Sequence, residues 1–376
     1  SEVCTSDLIP SDKNIFVNAG STIELYSNTD QNLIARKDFS NLIFSGSGRK
    51  VPAGALNPAG TVTIKDNAIF DCSGRNIGDE TSGTPTSTHL TMTGNSRLIV
   101  DTYGPNPKMA GTYKLTGGVI EFKNSGATPQ TIRSKYYQNI EITGSNVLMG
   151  EGNIYLNDKG SFIVKSGSIF SMNDNTIIGN GKGNQLITVE SMGTFRCGNN
   201  LGFNGAQITS VPIKSSAINT DITNIILQKN STVEYTRNGD QPITNANGLV
   251  YQNIVLSGTG IKTAPAGNLY ILGNFSRTSS ATFFHNNGTI IFNGTEPQTY
   301  TSALASTIFY NFINNNPSAL NISSSLSVSR KFSLEPGSKI LLNEDITFLS
   351  NKNQTAFISR LSANVKIDYN KGRFVV

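Results

Sequence analysis

The feature that most constrains this chain is a sequence repeat with a period of about 56 residues, the length scale of solenoid arrays. A β-branched residue stands eight positions ahead of a glutamine at Ile177/Gln185, Val233/Gln241, Ile290/Gln298 and Ile346/Gln354, and these pairs recur at an almost constant step. Ile120/Gln130 continues the series one period upstream with two positions inserted, and Ile23/Gln31 shows the same offset out of phase. Six of the ten glutamines in the chain occupy this position, so the period is not compositional accident. Such a period marks a solenoid, in which no repeat has a core of its own and stacked neighbours supply it.

Local patterning makes that solenoid all-β. Short apolar or alternating runs, such as residues 61–64 (TVTI), 119–122 (VIEF), 161–164 (SFIV), 225–227 (IIL), 269–272 (LYIL) and 290–292 (IIF), are separated by turn signals rich in Gly and Asn. Amphipathic helical spacing is not sustained over three turns, and residues 301–312 are the one place where a helical turn is expected. A second element, aromatic-x-Asn-apolar, trails the glutamine by 9 to 13 positions. It reads Phe39-Ser-Asn41-Leu42, Tyr137-Gln-Asn139-Ile140, Tyr251-Gln-Asn253-Ile254 and Phe309-Tyr-Asn311-Phe312. In the first three copies a hydroxyl–glycine pair begins four positions after the Asn: Ser45–Gly46, Thr143–Gly144 and Ser257–Gly258. These read as scaffold, the ring filling the interior and the Asn amide satisfying backbone groups at a corner.

The expected fold is therefore one elongated, single-stranded, right-handed parallel β-helix. Residues 1–20 form an amino-terminal cap region, and residues 21–376 a continuous solenoid with projecting loop insertions at 73–88 and 103–111. Each repeat spans two or three coils, so equivalent positions, including the recurring Glu24, Glu121 and Glu234, should stack roughly 10 to 14 Å apart. The last repeat, from Ile346 to Val376, covers little more than half a period, which leads to the expectation that the native polypeptide continues. The chain opens at Ser1 without a methionine or cleavable leader, as expected of a processed export product or an excised fragment.

Composition narrows the functional classes. Charged residues make up 15% of the chain, against roughly 25% in an average soluble domain; Asn, Gly, Ser and Thr replace them, as on secreted β-rich surfaces. The 30 basic and 25 acidic residues are scattered, without the basic stripe that nucleic-acid binding needs. No apolar run approaches the roughly 18 residues of a membrane span, so no membrane insertion is expected. Cys4, Cys72 and Cys197 have no metal-like spacing; they read as buried thiols, with a Cys4–Cys72 disulfide as the alternative.

Catalytic constellations are sparse. His89 and His285 lie in unrelated surroundings and read as ordinary surface or turn histidines. A glycan lyase or hydrolase on a β-helix needs acids converging on one face beside a base. The local acid groups are Asp79–Glu80, Asp158 near Glu151, and Glu344–Asp345, none of which recurs at stacking intervals with a basic partner. No cofactor is expected; the one ion the pattern leaves room for is a structural calcium at a turn such as Asn173-Asp174-Asn175.

Residues 288–294 (Gly-Thr-Ile-Ile-Phe-Asn-Gly), followed by Gln298-Thr-Tyr, Phe309-x-Asn-Phe, Leu326-x-Val and Phe332, carry a resemblance, as does the run from Gly267 to Phe275. Over roughly residues 117–360 the chain resembles the β-strand repeats of large surface proteins of gliding and related Bacteroidota. These are type IX secretion substrates, some of them motility adhesins. The sorting domain that such proteins carry at the carboxy end is missing from this sequence. The resemblance implies secretion, cell-surface display and contact with surface glycans or other cell-surface proteins. It transfers no binding residue. The reading is a non-enzymatic structural and adhesive rod presenting loops, with Tyr103, Lys108 and Tyr113 as candidate ligand contacts, the two tyrosines taken as exposed. The alternatives are a polysaccharide lyase or hydrolase, and a secretion substrate or subunit that engages translocon components.

Overall fold

Short strands with an inside–outside alternation dominate the chain, as the apolar runs predict. The computed structural model describes residues 2–4, 18–33, 39–78, 88–149, 151–208, 214–278, 280–304, 307–359 and 364–376. Two compact units emerge: unit 1 comprises Ser1–Ser171, Ile177–Thr188 and Asp221–Asn224, and unit 2 comprises Met172–Thr176, Val189–Thr220 and Ile225–Val376. In each, parallel strands stack into β-solenoid turns, about 14 in all. Among the described residues the only helical element is a short 3-10 turn, Ala246–Gly248. Where a helical turn is expected within 301–312, the structure has the end of the strand Gln298–Ser302 and the start of the strand Thr307–Asn314, while residues 305–306 lie outside the described residues.

In unit 1 the coils advance along one sheet from Ile23 to Leu42, Val62, Leu90 and Tyr113. The longest step, from Val62 to Leu90, holds the 73–88 insertion, whose residues 79–87 lie outside the described residues. Of the expected amino-terminal cap, Glu2–Cys4 is a parallel strand in register with Ile23 to Leu25, while residues 5–17 lie outside the described residues. The segment 103–111 is not a projecting loop. Gly104–Asn106 pairs in parallel with Gln130–Ile132, and Asn106 and Met109 are buried.

In unit 2 Val233, Ile254 and Phe275 stack at equal steps, one per coil. The sequence repeat is thus not a whole number of coils. Val233 pairs with Ile254, whereas Ile290 sits in a different sheet, between Leu269 and Phe312. Equivalent residues therefore move from one face of the coil to another rather than stacking above one another, which corrects the expected spacing.

The interior is continuous within each unit. Phe44 and Phe70 stack at 4.2 Å in unit 1, and in unit 2 Phe275, Phe309, Phe312 and Phe332 follow one another at 6.0, 5.4 and 5.6 Å. Each buried ring contributes roughly 1.5–3 kcal/mol relative to exposure. The motif aromatics Phe39, Tyr137, Tyr251 and Phe309 are all buried, as the sequence pattern requires. Cys72 and Cys197 are free, buried thiols; burial pushes Cys197 up to about 12 and Cys72 well above the usual thiol range.

The repeated polar residues clamp one coil to the next. Asn41, Asn139 and Asn253 donate Nδ2 to backbone carbonyls of the preceding coil (Ser21, Gly118 and Ser231, at 3.2, 2.8 and 3.1 Å). Their Oδ1 atoms accept from the following coil: Thr61 N, Ser161 Oγ and Asn274 N. The hydroxyls of Ser45, Thr143 and Ser257 donate to Glu24, Glu121 and Glu234 at 2.6, 2.8 and 2.6 Å. The adjoining glycine is obligatory: Gly46 and Gly258 have φ of +76° and +71°, and a Cβ there would lie 2.3 and 2.4 Å from Ser27 O and Arg237 O.

Three of the repeat glutamines, Gln130, Gln241 and Gln298, are buried corner ties. Gln298 donates Nε2 to Ile271 O and Gly273 O at 2.9 and 2.5 Å, while its Oε1 accepts Gly294 N and Asn316 Nδ2, both at 2.9 Å. Gln130 links Val100 O to Asn124 N, and Gln241 links Cys197 O and Asn199 O to Arg237 N, in the same way. Where Gln31 and Gln241 meet the next coil, their ladder partners are the buried Lys50 and Lys262. Each ammonium donates to two or three backbone carbonyls, in Ser-Gly-Ser-Gly-Arg-Lys and Ser-Gly-Thr-Gly-Ile-Lys corners.

Candidate functional site

A strand that turns a corner presents alternate residues to opposite sides. In Tyr136–Ile142 the motif residue Tyr137 is buried, so its neighbour Tyr136 faces out and is 59% exposed. Tyr155 stands directly opposite Tyr136 in the next coil, and Ile178 opposite Tyr155 in the one after. The two tyrosine rings stack at 4.8 Å with 23° between their planes, forming an aromatic shelf on unit 1.

The shelf borders a cleft of about 390 Å³ lined by Ala110, Gly111, Thr112, Tyr113, Ser134 and Lys135 together with the two shelf rings. That volume falls in the range of small-ligand pockets, roughly 300–1,000 Å³. Tyr113 forms the floor. Its ring meets Tyr137 edge-on at 5.9 Å, and its hydroxyl donates to Pro107 O at 3.3 Å. Lys135 lies over the Tyr113 ring, 5.5 Å from its centre, and donates to Ala110 O and Gly111 O at 2.8 and 3.1 Å. Burial, and then the nearby Arg133, lower the Lys135 pKa. Burial drives the Tyr113 phenol well above its ordinary range, so it stays a neutral donor. Tyr137 beneath is fixed by donating to Arg133 O at 2.9 Å. An exposed aromatic stack beside hydroxyl, backbone and ammonium groups can bind the apolar face of a pyranose ring while hydrogen-bonding its edge.

Of the three residues singled out from sequence, one reaches this cleft. Tyr113, expected to be exposed, is only 7% exposed, because its ring packs inward over Tyr137. Tyr103 is 68% exposed and Lys108 half-buried, and neither lines the cleft. Segment 103–111 contributes through the backbone of Ala110 and Gly111 instead. Tyr136, Tyr155 and Lys135 were missed. The signal lay in the motif: a tyrosine immediately before a buried Tyr137 must point to solvent.

The carboxylates are committed elsewhere. Asp158 accepts from Asn184, Asn180 and Lys182, which hold it down at about 2. Glu151 lies 3.5 Å from Arg133, Glu344 accepts from Ser325, and Asp345 accepts Arg373 N. Asp79 and Glu80 lie outside the described residues. One pairing was not read from sequence: Glu121 and Glu141 are ladder neighbours, and a single Arg97 nitrogen sits 2.8 and 2.7 Å from them. This is an acid pair with a base at stacking distance, yet both acids are spent on the same guanidinium, and Glu121 also accepts from Thr143. His89, at the start of the strand His89–Met92, accepts Thr112 N at Nδ1, and His285 Nδ1 accepts Asn287 N. At the Asn173–Asn175 turn, Asp174 is taken by Arg237 and Asn200 N. Among the described residues no three His, Cys, Asp or Glu side chains come together as metal ligands, and no helix is long and apolar enough to cross a membrane. Compared with known proteins, the chain matches no family, no curated protein and no solved structure.

Proposed function

We propose that this protein is a secreted, cell-surface structural and adhesive solenoid that contacts glycans through the Tyr136–Tyr155 shelf and its cleft, without catalytic activity. The observation that carries this reading is the stack of two tyrosines beside a cleft of about 390 Å³. Tyr136 is largely exposed and Tyr155 half-buried, and the chemistry of such a stacked pair suits a sugar face. The low charge of the surface and the Bacteroidota-like repeat pattern support export and display. The commitment of Glu121 and Glu141 to Arg97 supports a holding role rather than glycoside cleavage.

The test is a glycan array followed by calorimetry on the best ligand. Each stacked ring is worth roughly 0.5–1.5 kcal/mol, so Tyr136→Ala combined with Tyr155→Ala should weaken binding by about tenfold or more. The circular dichroism spectrum should be unchanged, and Tyr103→Ala should have no effect. Full binding by the double variant removes the shelf from the account. Polysaccharide depolymerisation that disappears in Glu121→Gln establishes the enzymatic alternative.

A further inference from the structure

Unit 2 holds a second polar recess, made of residues that the repeat brings to one place. Asn230, Asn253 and Asn274 follow one another coil by coil: Asn253 Nδ2 donates to Asn230 O at 3.1 Å, Asn274 N donates to Asn253 Oδ1 at 2.8 Å, and Thr299 N donates to Asn274 Oδ1 at 2.8 Å. Together with Gln252, Asn293, Thr295, Lys229 and Glu296 they line a groove of about 240 Å³. Lys229 and Glu296, far apart in sequence, meet at 3.1 Å, and both side chains are about two-thirds exposed.

The internal bonds decide what the groove offers a ligand. Asn253 is used at both ends by the scaffold. Asn274 Oδ1 is held by Thr299 N, and Asn293 Oδ1 by Asn315 Nδ2 at 2.6 Å. With its oxygen held by a backbone N–H, the Asn274 amide cannot flip without losing that bond and presents its NH2 as a donor of fixed sense, and Asn293 presents its NH2 in its pairing with Asn315. The charged groups add the Lys229 ammonium and the Glu296 carboxylate. Donors therefore outnumber acceptors, and the acceptor side belongs to an exposed ion pair that is cheap to exchange.

We infer that this groove is a binding site for a carboxylate-bearing sugar ring, a hexuronate unit of an acidic polysaccharide. The ligand carboxylate takes the Asn274 and Asn293 donors and replaces Glu296 as the partner of Lys229, forming charge-assisted hydrogen bonds. The groove is smaller than the usual pocket for drug-sized ligands, which suits one ring rather than several. The site shares no residue with the tyrosine shelf, so it stands or falls independently of that reading.

The experiment titrates the full chain with methyl β-glucuronide and, separately, methyl β-glucoside at pH 7. Calorimetry and the side-chain amide NMR signals of Asn274 and Asn293 are followed. The glucuronide should bind saturably, shift both amides, and outcompete the glucoside by about tenfold. Asn274→Asp keeps the acceptor for Thr299 N but replaces the donor with a negative charge. It should preserve the fold and reduce glucuronide affinity by about tenfold, as should Lys229→Met. Glu296→Gln removes the internal competitor and should leave affinity equal or higher, and Tyr136→Ala should leave it unchanged. Equal affinity for the two glycosides overturns the carboxylate assignment. Absence of saturable binding, or glucuronide binding indifferent to Asn274→Asp, overturns the site.

Discussion

Replacing Gln298 with leucine tests whether the repeat glutamines tie the coils together. The side chain is fully buried and makes four hydrogen bonds, two as donor and two as acceptor. Leucine fills similar volume, so the loss is polar. Gly294 N–H loses its acceptor, a cost of roughly 1–3 kcal/mol for a buried donor. Ile271 O keeps its ladder bond from Asn293 N, so the carbonyls add less, and the sum is about 3 kcal/mol. Gln354 supplies the control: it is half-buried and donates to Ser329 O alone, so Gln354→Leu should cost about 1 kcal/mol or less. Because stacked coils need not unfold as one, the readout is local amide exchange as well as urea unfolding. The Gly294 amide should exchange on the order of a hundredfold faster in Gln298→Leu. Equal midpoints for the two variants with unchanged Gly294 exchange would refute the corner-tie reasoning.

Three further outcomes follow from the geometry. Ile290→Asp places a carboxylate in the interior between Leu269 and Phe312; it should lower the melting temperature of unit 2 and expose amides in the adjacent coils, and an unchanged melting curve contradicts a shared core. Arg97→Met leaves Glu121 and Glu141 side by side without their cation. Unit 1 should therefore lose about 2 kcal/mol in urea unfolding at low salt and less at high salt, where the like-charge repulsion is screened; a loss independent of salt points to packing instead. Burial, and then Arg237, pull the Lys262 ammonium down to about 8, below its unfolded value of 10.5. The unfolded chain then binds more protons between those pH values, so unit 2 should gain stability from pH 8 toward 10, where the buried tyrosines begin to oppose it. An NMR titration of Lys262 with a midpoint near 10.5 rules this out.

The sequence and the structure agree where one residue carries one constraint. The buried aromatics at Phe39, Tyr137, Tyr251 and Phe309, the clamping Asn residues and the obligatory glycines after Ser45 and Ser257 could all be read because each answers a local need of backbone or interior. Phase was not readable in the same way. The repeat period is not a multiple of the coil length, and nothing local announces that Val233 and Ile290 face different sheets. The function of the glutamines was hidden for the same reason, since their carbonyl partners lie one or two coils earlier. Segment 103–111 misled because its Pro and Gly content mimics a loop, while Gly104–Asn106 completes a sheet against Gln130–Ile132. The tyrosine shelf depends on Tyr155 arriving opposite Tyr136 across a corner, a pairing that only the coil length sets. The Glu121–Arg97–Glu141 cluster likewise assembles residues from three coils.

The central claim is that successive coils stack in parallel on one axis within a unit. In unit 1 the outward ladder Glu24, Ile43, Thr63, Thr91 and Lys114 steps once per coil. At about 4.8 Å per step, Glu24 and Lys114 lie about 19 Å apart despite their wide separation in sequence. Spin labels on cysteines placed at positions 24 and 114 should give one narrow distance near that value by double electron–electron resonance. A broad distribution, or a distance beyond about 30 Å, six coil steps, contradicts the stacked solenoid.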